Sequence, residues 1–292
     1  SEWVHTWEIW NEPSSGGEIP VYVANRNALW MSPQDYALMY SEVVAAMRNV
    51  DPTIAAGGPA LSGHTAQAFT WYLSNFLLNA TQPVSFVSFH FYPTENGKEP
   101  DQAVLQNFSH SYGQYISAVQ SMMRQIHKNI PLWIDELGFN AYARLPIDPR
   151  GTSPIGYAFV ADVFTQSIAD GVAQVNEFPF VGDAQLGLID IKSAQPYRTY
   201  WLYVMLSQAF PPGSQVLLNT RLPSGVTAIA AISPDRRTLH ILLGNLRSAS
   251  SKDVNGDGVQ HTVCINLTNE HAGVGLPFGA PATAWTFDAS TP

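Results

Sequence analysis

The spacing of apolar residues changes period along the chain, and the changes mark its elements. Residues 3–10 alternate imperfectly and are rich in Trp, Val, Thr and Ile, which reads as a strand. Ser32 can cap a helix with Pro33 at its first position. From there Tyr36, Met39, Tyr40, Val43, Met47 and Val50 recur at helical intervals. Residues 53–58 form a short buried strand, and Phe69, Tyr72, Leu73, Phe76 and Leu77 mark a second helix. Residues 84–92 read as the third strand. A helix near 101–127 follows, with Tyr112, Ile116, Val119, Met123 and Ile126 inward. Residues 132–135 make the fourth strand. Ser153-Pro154 opens a helix that runs to Gly171, 172–178 is the fifth strand, and a last helix runs from Pro196 through Phe210. Strand and helix thus alternate five times, which argues a parallel sheet covered by helices.

At Pro211-Pro212-Gly213 helical periodicity stops. Residues 216–219, 226–232, 239–244, 262–267 and 284–287 read as short strands joined by turns such as Ser233-Pro234-Asp235. Near-regular spacing of short strands indicates an antiparallel β-sandwich. The expected organisation is an α/β domain over residues 1–210 and a β-sandwich domain over 211–292.

Two stretches carry candidate chemistry. Trp7-Glu8-Ile9-Trp10-Asn11-Glu12-Pro13 and Leu132-Trp133-Ile134-Asp135-Glu136-Leu137-Gly138 have the same plan: an aromatic and aliphatic run, a Glu, and a chain breaker close behind. In a barrel of parallel strands, the residue that ends a strand points into the active-site mouth. Two such carboxyls on different strands meet the needs of glycoside cleavage, where one protonates the leaving oxygen and the other attacks the sugar or activates water.

Trp-Asn-Glu-Pro resembles the acid/base motif at the end of strand four in clan A glycoside hydrolases, and Ile-Asp-Glu-Leu-Gly resembles their nucleophile motif at the end of strand seven. Asn49-Val50-Asp51-Pro52 with Ala56-Gly57-Gly58-Pro59-Ala60, and Val87-Ser88-Phe89-His90-Phe91-Tyr92-Pro93, narrow the resemblance to family 39. The resemblance implies an incomplete (β/α) TIM-type barrel made of strands four to eight. It makes Glu12 the general acid/base, Glu136 the nucleophile of a retaining mechanism, and Asn11 a partner of the sugar 2-hydroxyl. The beginning departs from the family's pattern, because only eleven residues precede Glu12. A carbohydrate-binding or catalytically weak barrel remnant, or a fragment of a larger clan A hydrolase, therefore stands as the alternative.

Further substrate contacts are expected from several residues. His90 and Tyr92 share a strand face, and Tyr92 is placed to donate to Glu136. Glu177 lies near the end of the fifth strand. Trp30 lies in the loop 14–31 behind the acid/base, where its ring can stack on a sugar. Trp10, Trp133 and Tyr142 are weaker candidates of the same kind. Asp135 adjoins Glu136, is expected to point away from it, and reads as structural.

Composition narrows the partners. The chain has 292 residues, 46% hydrophobic and 12% aromatic, so a filled core is available. Only 13% are charged and the net charge is −9, which disfavours nucleic acid and anionic membranes. No apolar run reaches the ~20 residues of a membrane span. No basic-then-apolar leader opens the chain, which leaves secreted and cytoplasmic locations both open. The one cysteine, Cys264, has no internal partner for a disulfide. Asp253 to Gly258 matches the first half of a calcium loop but has Cys264 where the bidentate Glu belongs, and an Asn-Gly/Asp-Gly hairpin turn explains the same residues. No cofactor and no catalytic metal are expected. Five strands cannot close an eight-stranded barrel, so a homo-oligomer covering the open side is expected.

Overall fold

The computed structural model describes residues 4–14, 31–62, 65–94, 97–141, 147–217, 222–248, 262 and 283–287. Trp30, Tyr142, most of the loop 14–31, residues 253–258 and most of 262–267 lie outside them.

Five strands, β1 (Thr6–Glu8), β2 (Ala55–Leu61), β3 (Val87–Phe91), β4 (Leu132–Leu137) and β5 (Gln174–Glu177), form one sheet in chain order. Every pairing is parallel. The fold is thus the expected incomplete (β/α) barrel, with β1 and β5 as the outer strands of the sheet. The helices are α1 (Pro33–Val50), α2 (Ala66–Asn79), α3 (Asp101–Gln125), α4 (Pro154–Ala169) and α5 (Arg198–Ala209).

The chain divides into two compact units. The first comprises residues 1–92, 108–138 and 170–178; the second comprises 93–107, 139–169 and 179–292. In the first, helices cover the sheet through aromatic side chains. Ser32 accepts from the Asp35 N–H at 3.1 Å and starts α1, and Thr65 caps α2 in the same way from Ala68. Tyr36, Tyr40 and Phe76 pack edge-on, with ring centroids 4.9 and 5.1 Å apart between the helices. Phe69 of α2 meets Phe89 of β3 at 4.9 Å, and Tyr112 of α3 meets Phe91 at 5.1 Å. Trp133 of β4 stacks on Phe86 at 3.7 Å rather than standing open as a sugar platform.

The tyrosine hydroxyls also tie helix to strand. Tyr36 Oη donates to the Ile9 carbonyl at 2.7 Å, and Tyr40 Oη shares its proton between the carbonyls of Ala56 and Pro83. Gly58 makes the first of these bonds possible. Its φ is +144°, and a side chain there would meet the Tyr36 hydroxyl.

In the second unit β8 (Gln215–Leu217), β9 (Val226–Ile232) and β10 (Leu239–Asn245) form an antiparallel sheet in the order β10-β9-β8. The turn at Ser233 closes with Arg236 N–H donating to the Ser233 carbonyl at 2.8 Å. Helix α4 packs on β9 and β10, where Gly244 lets it approach; a Cβ there would lie 2.5 Å from Thr227 Cγ2 and 3.1 Å from Ala161 Cβ. Two short strands, β6 (Val181–Gly182) and β7 (Ile189–Asp190), pair in parallel and have no counterpart in the sequence reading. Residues 284–287, expected as a strand, have no regular structure.

Candidate active site

Glu12 is delivered by the chain leaving β1. Ile9 N–H still pairs with the Gly57 carbonyl at 3.0 Å, continuing the parallel ladder, and Glu12 N–H donates to the Ala60 carbonyl at 3.0 Å. Between these anchors the backbone bends, with Trp10 at φ 70° and Glu12 at φ 47°. Left-handed non-glycine residues are uncommon, and they collect where the surroundings fix an unusual direction. Asn11 is exposed on this bend.

Glu136 comes from β4, next to His90 of β3. The two strands run in register until Phe89 and Ile134, and the next pair is His90 with Glu136. Asp135 is therefore an extra residue in β4, a local bulge that re-aims its neighbours. The sequence reading has Asp135 pointing away from Glu136 and structural. Both Asp135 and Glu136 reach His90, through opposite ring nitrogens.

His90 is the hub. Its Nδ1 lies 2.9 Å from Glu12 Oε1 and 3.3 Å from Glu136 Oε2. Its Nε2 lies 3.3 Å from Asp135 Oδ2, within ion-pairing range but out of hydrogen-bond alignment. Tyr92 Oη donates to Glu136 Oε2 at 2.8 Å, the contact its position on β3 suggested. Below, Ser88 Oγ accepts from Ala60 N–H at 2.9 Å and donates to Glu8 Oε1 at 2.5 Å. The Glu12 side chain is 36% exposed and that of Glu136 20%, whereas His90 and Asp135 are buried. Glu177 ends β5 half-buried, paired in register with Leu137, and its charge is felt at Tyr92.

These neighbours move the titrations in opposite senses. Burial opposes charge on His90, but Asp135 and Glu12 outweigh it and push the imidazole up to about 10, so the ring is cationic at neutral pH. Burial raises Glu136; His90 and Tyr92 pull it back, and Glu12 and Asp135 add to the rise. Tyr92 is held well above the usual phenol range by burial, then by the charge of Glu136. Glu8 is raised to about 8 by the protein packed around its carboxyl, then by Asp135.

Glu12, His90 and Glu136 each offer a ligand atom within 4.8 Å of the others, a spacing that suits a metal ion as well as a sugar. His90 Nδ1 meanwhile faces both carboxyls, so the three side chains also satisfy one another.

Residues 1–179 match the family model described as glycosyl hydrolases family 39. The chain belongs to glycosyl hydrolase family 39. Among curated proteins, this family 39 chain is 28% identical over 183 residues to a beta-xylosidase of Geobacillus stearothermophilus, covering 56% of the chain and 32% of that relative. The chain therefore spans about a third of the length of the relative it matches. Among solved structures it resembles a family 51 alpha-L-arabinofuranosidase from Bifidobacterium longum (TM-score 0.63, 16% identity, 85% of this chain and 55% of that one). It also resembles a glucosidase from Croceicoccus marinus (TM-score 0.57, 16% identity, 83% and 48%). At these identities the structural likeness concerns the fold alone. Among the described residues, no helix is long and apolar enough to cross a membrane.

Proposed function

We propose that this family 39 chain carries the two-carboxylate centre of a retaining β-glycosidase. Glu12 is the general acid/base and Glu136 the nucleophile. The observation that carries the reading is the proximity of the two carboxyls, whose nearest oxygens lie within 4.8 Å. Retaining enzymes hold their carboxyl groups about 5–5.5 Å apart, while inverting ones leave roughly 6.5–9.5 Å for a water. In the proposed reaction Glu136 attacks the anomeric carbon while Glu12 protonates the departing oxygen. Glu12 then takes a proton from water, which displaces Glu136 from the sugar.

The asymmetry of the site suits these roles. Glu136 alone receives the Tyr92 hydroxyl, which favours its anion, while the imidazole lies against both carboxyls; Glu12 is the more open of the two, where a leaving group departs. Asn11 and Glu177 are proposed as sugar contacts, and neither metal nor cofactor takes part in the proposed steps. A 2-deoxy-2-fluoro-β-xyloside is the first probe, because the curated relative is called a beta-xylosidase. It should label Glu136. Labelling of another residue, or release of the inverted anomer as first product from an aryl glycoside, would overturn the assignment.

A second reading is a carbohydrate-binding or catalytically weak barrel remnant. It is favoured by β1, all of whose residues are exposed, Trp7 at 39%, and by Trp10 just beyond it at 48%. Sugar binding without turnover by any aryl glycoside would decide for it. The same exposure supports a homo-oligomer in which a second copy covers β1, since apolar edge strands are aggregation sites unless covered. Light scattering that finds a monomer at micromolar concentration would refute that arrangement.

A further inference from the structure

The chain that carries Glu12 copies an irregularity in its neighbour β2. Strands β2 and β3 pair at Gly58 with Val87 and at Leu61 with Phe89, so Pro59 and Ala60 together stand opposite Ser88 alone. Such a bulge bends its strand and leaves a residue out of the ladder. Ala60 takes the left-handed conformation there, with φ 55°, as Trp10 and Glu12 do. The exit of β1 follows the bulge bond by bond. Ile9 N–H meets the Gly57 carbonyl and Glu12 N–H the Ala60 carbonyl, each at 3.0 Å, and Ser14 Oγ donates to the Ser62 carbonyl at 2.8 Å. The direction in which Glu12 leaves its strand is therefore set by the shape of β2. Ser88 in turn holds that shape. It is fully buried, and its Oγ accepts the Ala60 N–H at 2.9 Å. A hydroxyl has one proton to donate. Ser88 gives its proton to Glu8 Oε1 at 2.5 Å, which turns its lone pairs to Ala60.

We infer that Ser88 is a positioning residue for Glu12, acting through the Ala60 peptide, and that Glu8 fixes the direction of its hydroxyl. The effect on turnover rests on the glycosidase reading; the effect on the Glu12 backbone does not. The path is continuous: Glu8 Oε1 accepts from Ser88 Oγ, Ser88 Oγ accepts from Ala60 N–H, and the Ala60 carbonyl accepts from Glu12 N–H. Ser88 and His90 lie two residues apart on β3 and so share a face. Strand β3 thereby holds Glu12 twice, by its carboxyl through His90 Nδ1 at 2.9 Å and by its main chain through Ser88 and Ala60. His90 holds the acid group, and Ser88 holds the bend that carries it. Glu8 suits its part, because one oxygen of a carboxyl accepts a hydroxyl proton whether or not the other is protonated.

Amide hydrogen exchange tests the positioning without turnover, so its failure is separable from failure of the glycosidase reading. Ser88→Ala should speed exchange of the Glu12 N–H about fivefold or more, the effect of losing about one ordinary hydrogen bond. The Ile9 N–H, which pairs with Gly57 ahead of the bulge, should keep its rate. An unchanged Glu12 rate, or equal acceleration at Ile9 and Glu12 as a merely structural role would give, would overturn the inference. In turnover, kcat/KM of Ser88→Ala should fall more for glycosides with poor leaving groups than for activated aryl glycosides, because a displaced acid fails where protonation is needed. Equal losses would overturn the action through Glu12. A wild-type chain that cleaves no glycoside would overturn the glycosidase reading, and the exchange rates would still decide on Ser88. If Ser88→Ala does not fold, two variants of the exposed Glu8 decide. Glu8→Gln keeps an oxygen for the Ser88 proton and should keep the Glu12 rate; Glu8→Ala removes it and should raise that rate. Equal Glu12 rates in these two variants would overturn the inference.

Discussion

Replacing Tyr92 by Phe keeps the ring and deletes one hydrogen bond, so its cost can be worked from the site. The lost bond runs 2.8 Å from Tyr92 Oη to Glu136 Oε2 and ends on the proposed nucleophile, which would have to be anionic to attack. Hydrogen bonds to charged groups contribute about 1.5–3 kcal/mol. His90 Nδ1 remains 3.3 Å from the same oxygen as a cationic partner, which places the loss in the lower part of that range, about 1.5–2 kcal/mol. The ionisation of Glu136 should then become about ten- to thirtyfold less favourable. The sign follows from the cause. Tyr92 holds the Glu136 pKa down, so its removal lets burial push it higher. The acid limb of kcat/KM against pH, measured with an aryl glycoside, should move upward by about one pH unit or slightly more, with smaller change on the plateau. An unmoved acid limb, or one moved to lower pH, would refute the role given to this bond.

Glu12→Ala should slow glycosides with poor leaving groups by about 10²–10⁴-fold and those with activated aryl leaving groups far less, because only the former depend on protonation; equal losses would remove Glu12 as the acid. His90 ties stability to pH with a definite sign. Its value in the folded chain, about 10, lies above its ordinary 6.5, so its contribution is complete below pH 6.5 and is lost as pH rises through 10. Urea unfolding should show stability falling across that window, and His90→Asn should flatten the fall; identical slopes in both proteins would contradict the charged imidazole. The raised Glu8 adds a fall of the same sign between 4.5 and 8, so part of the slope should persist in His90→Asn.

The order of strands and helices was legible because long amphipathic segments repeat it five times. Faces were harder to read. On α1 the apolar spacing pointed to Val43 and Val50, yet both are exposed, and the buried stripe runs through Tyr36, Ala37, Tyr40, Ser41 and Val44. Ser41 explains the rotation. Its hydroxyl donates to the Ala37 carbonyl at 2.6 Å and accepts from Thr81 N–H at 3.0 Å, so a small polar residue fills a core position that hydrophobicity does not mark. The motifs pointed to Glu12 and Glu136, since each stands between a strand and a chain breaker. The approach of Asp135 to His90 was not legible, because alternation presumes an unbroken ladder and the bulge after Phe89 breaks it. Glu8 was visible as a strand carboxylate four residues before Glu12; that Ser88 of β3 donates to it is legible only in space. The composition break at 211 falls inside the second compact unit, because that unit also takes up residues 93–107 and 139–169, which follow β3 and β4.

The site is anchored unevenly, and the unevenness bears on how Glu12 is held. Glu136, His90 and Tyr92 stand on or next to β3 and β4, inner strands whose neighbours on both sides fix them. Glu12 follows β1, an outer strand with every residue exposed. Packing of its own strand therefore contributes little to its position. What holds it is polar: the Tyr36 hydroxyl on the Ile9 carbonyl, the Glu12 N–H on the Ala60 carbonyl, and His90 Nδ1 on its carboxyl. Two of these three bonds reach directly into β2 and β3, so Glu12 is positioned from the inner strands rather than from β1. The imidazole makes the bond nearest the proposed chemistry, and it is charged because Asp135 faces its other nitrogen. A bulge in β4 that brings Asp135 to His90 thus helps to place Glu12 on a different strand, through one ring and without contact between the two acids.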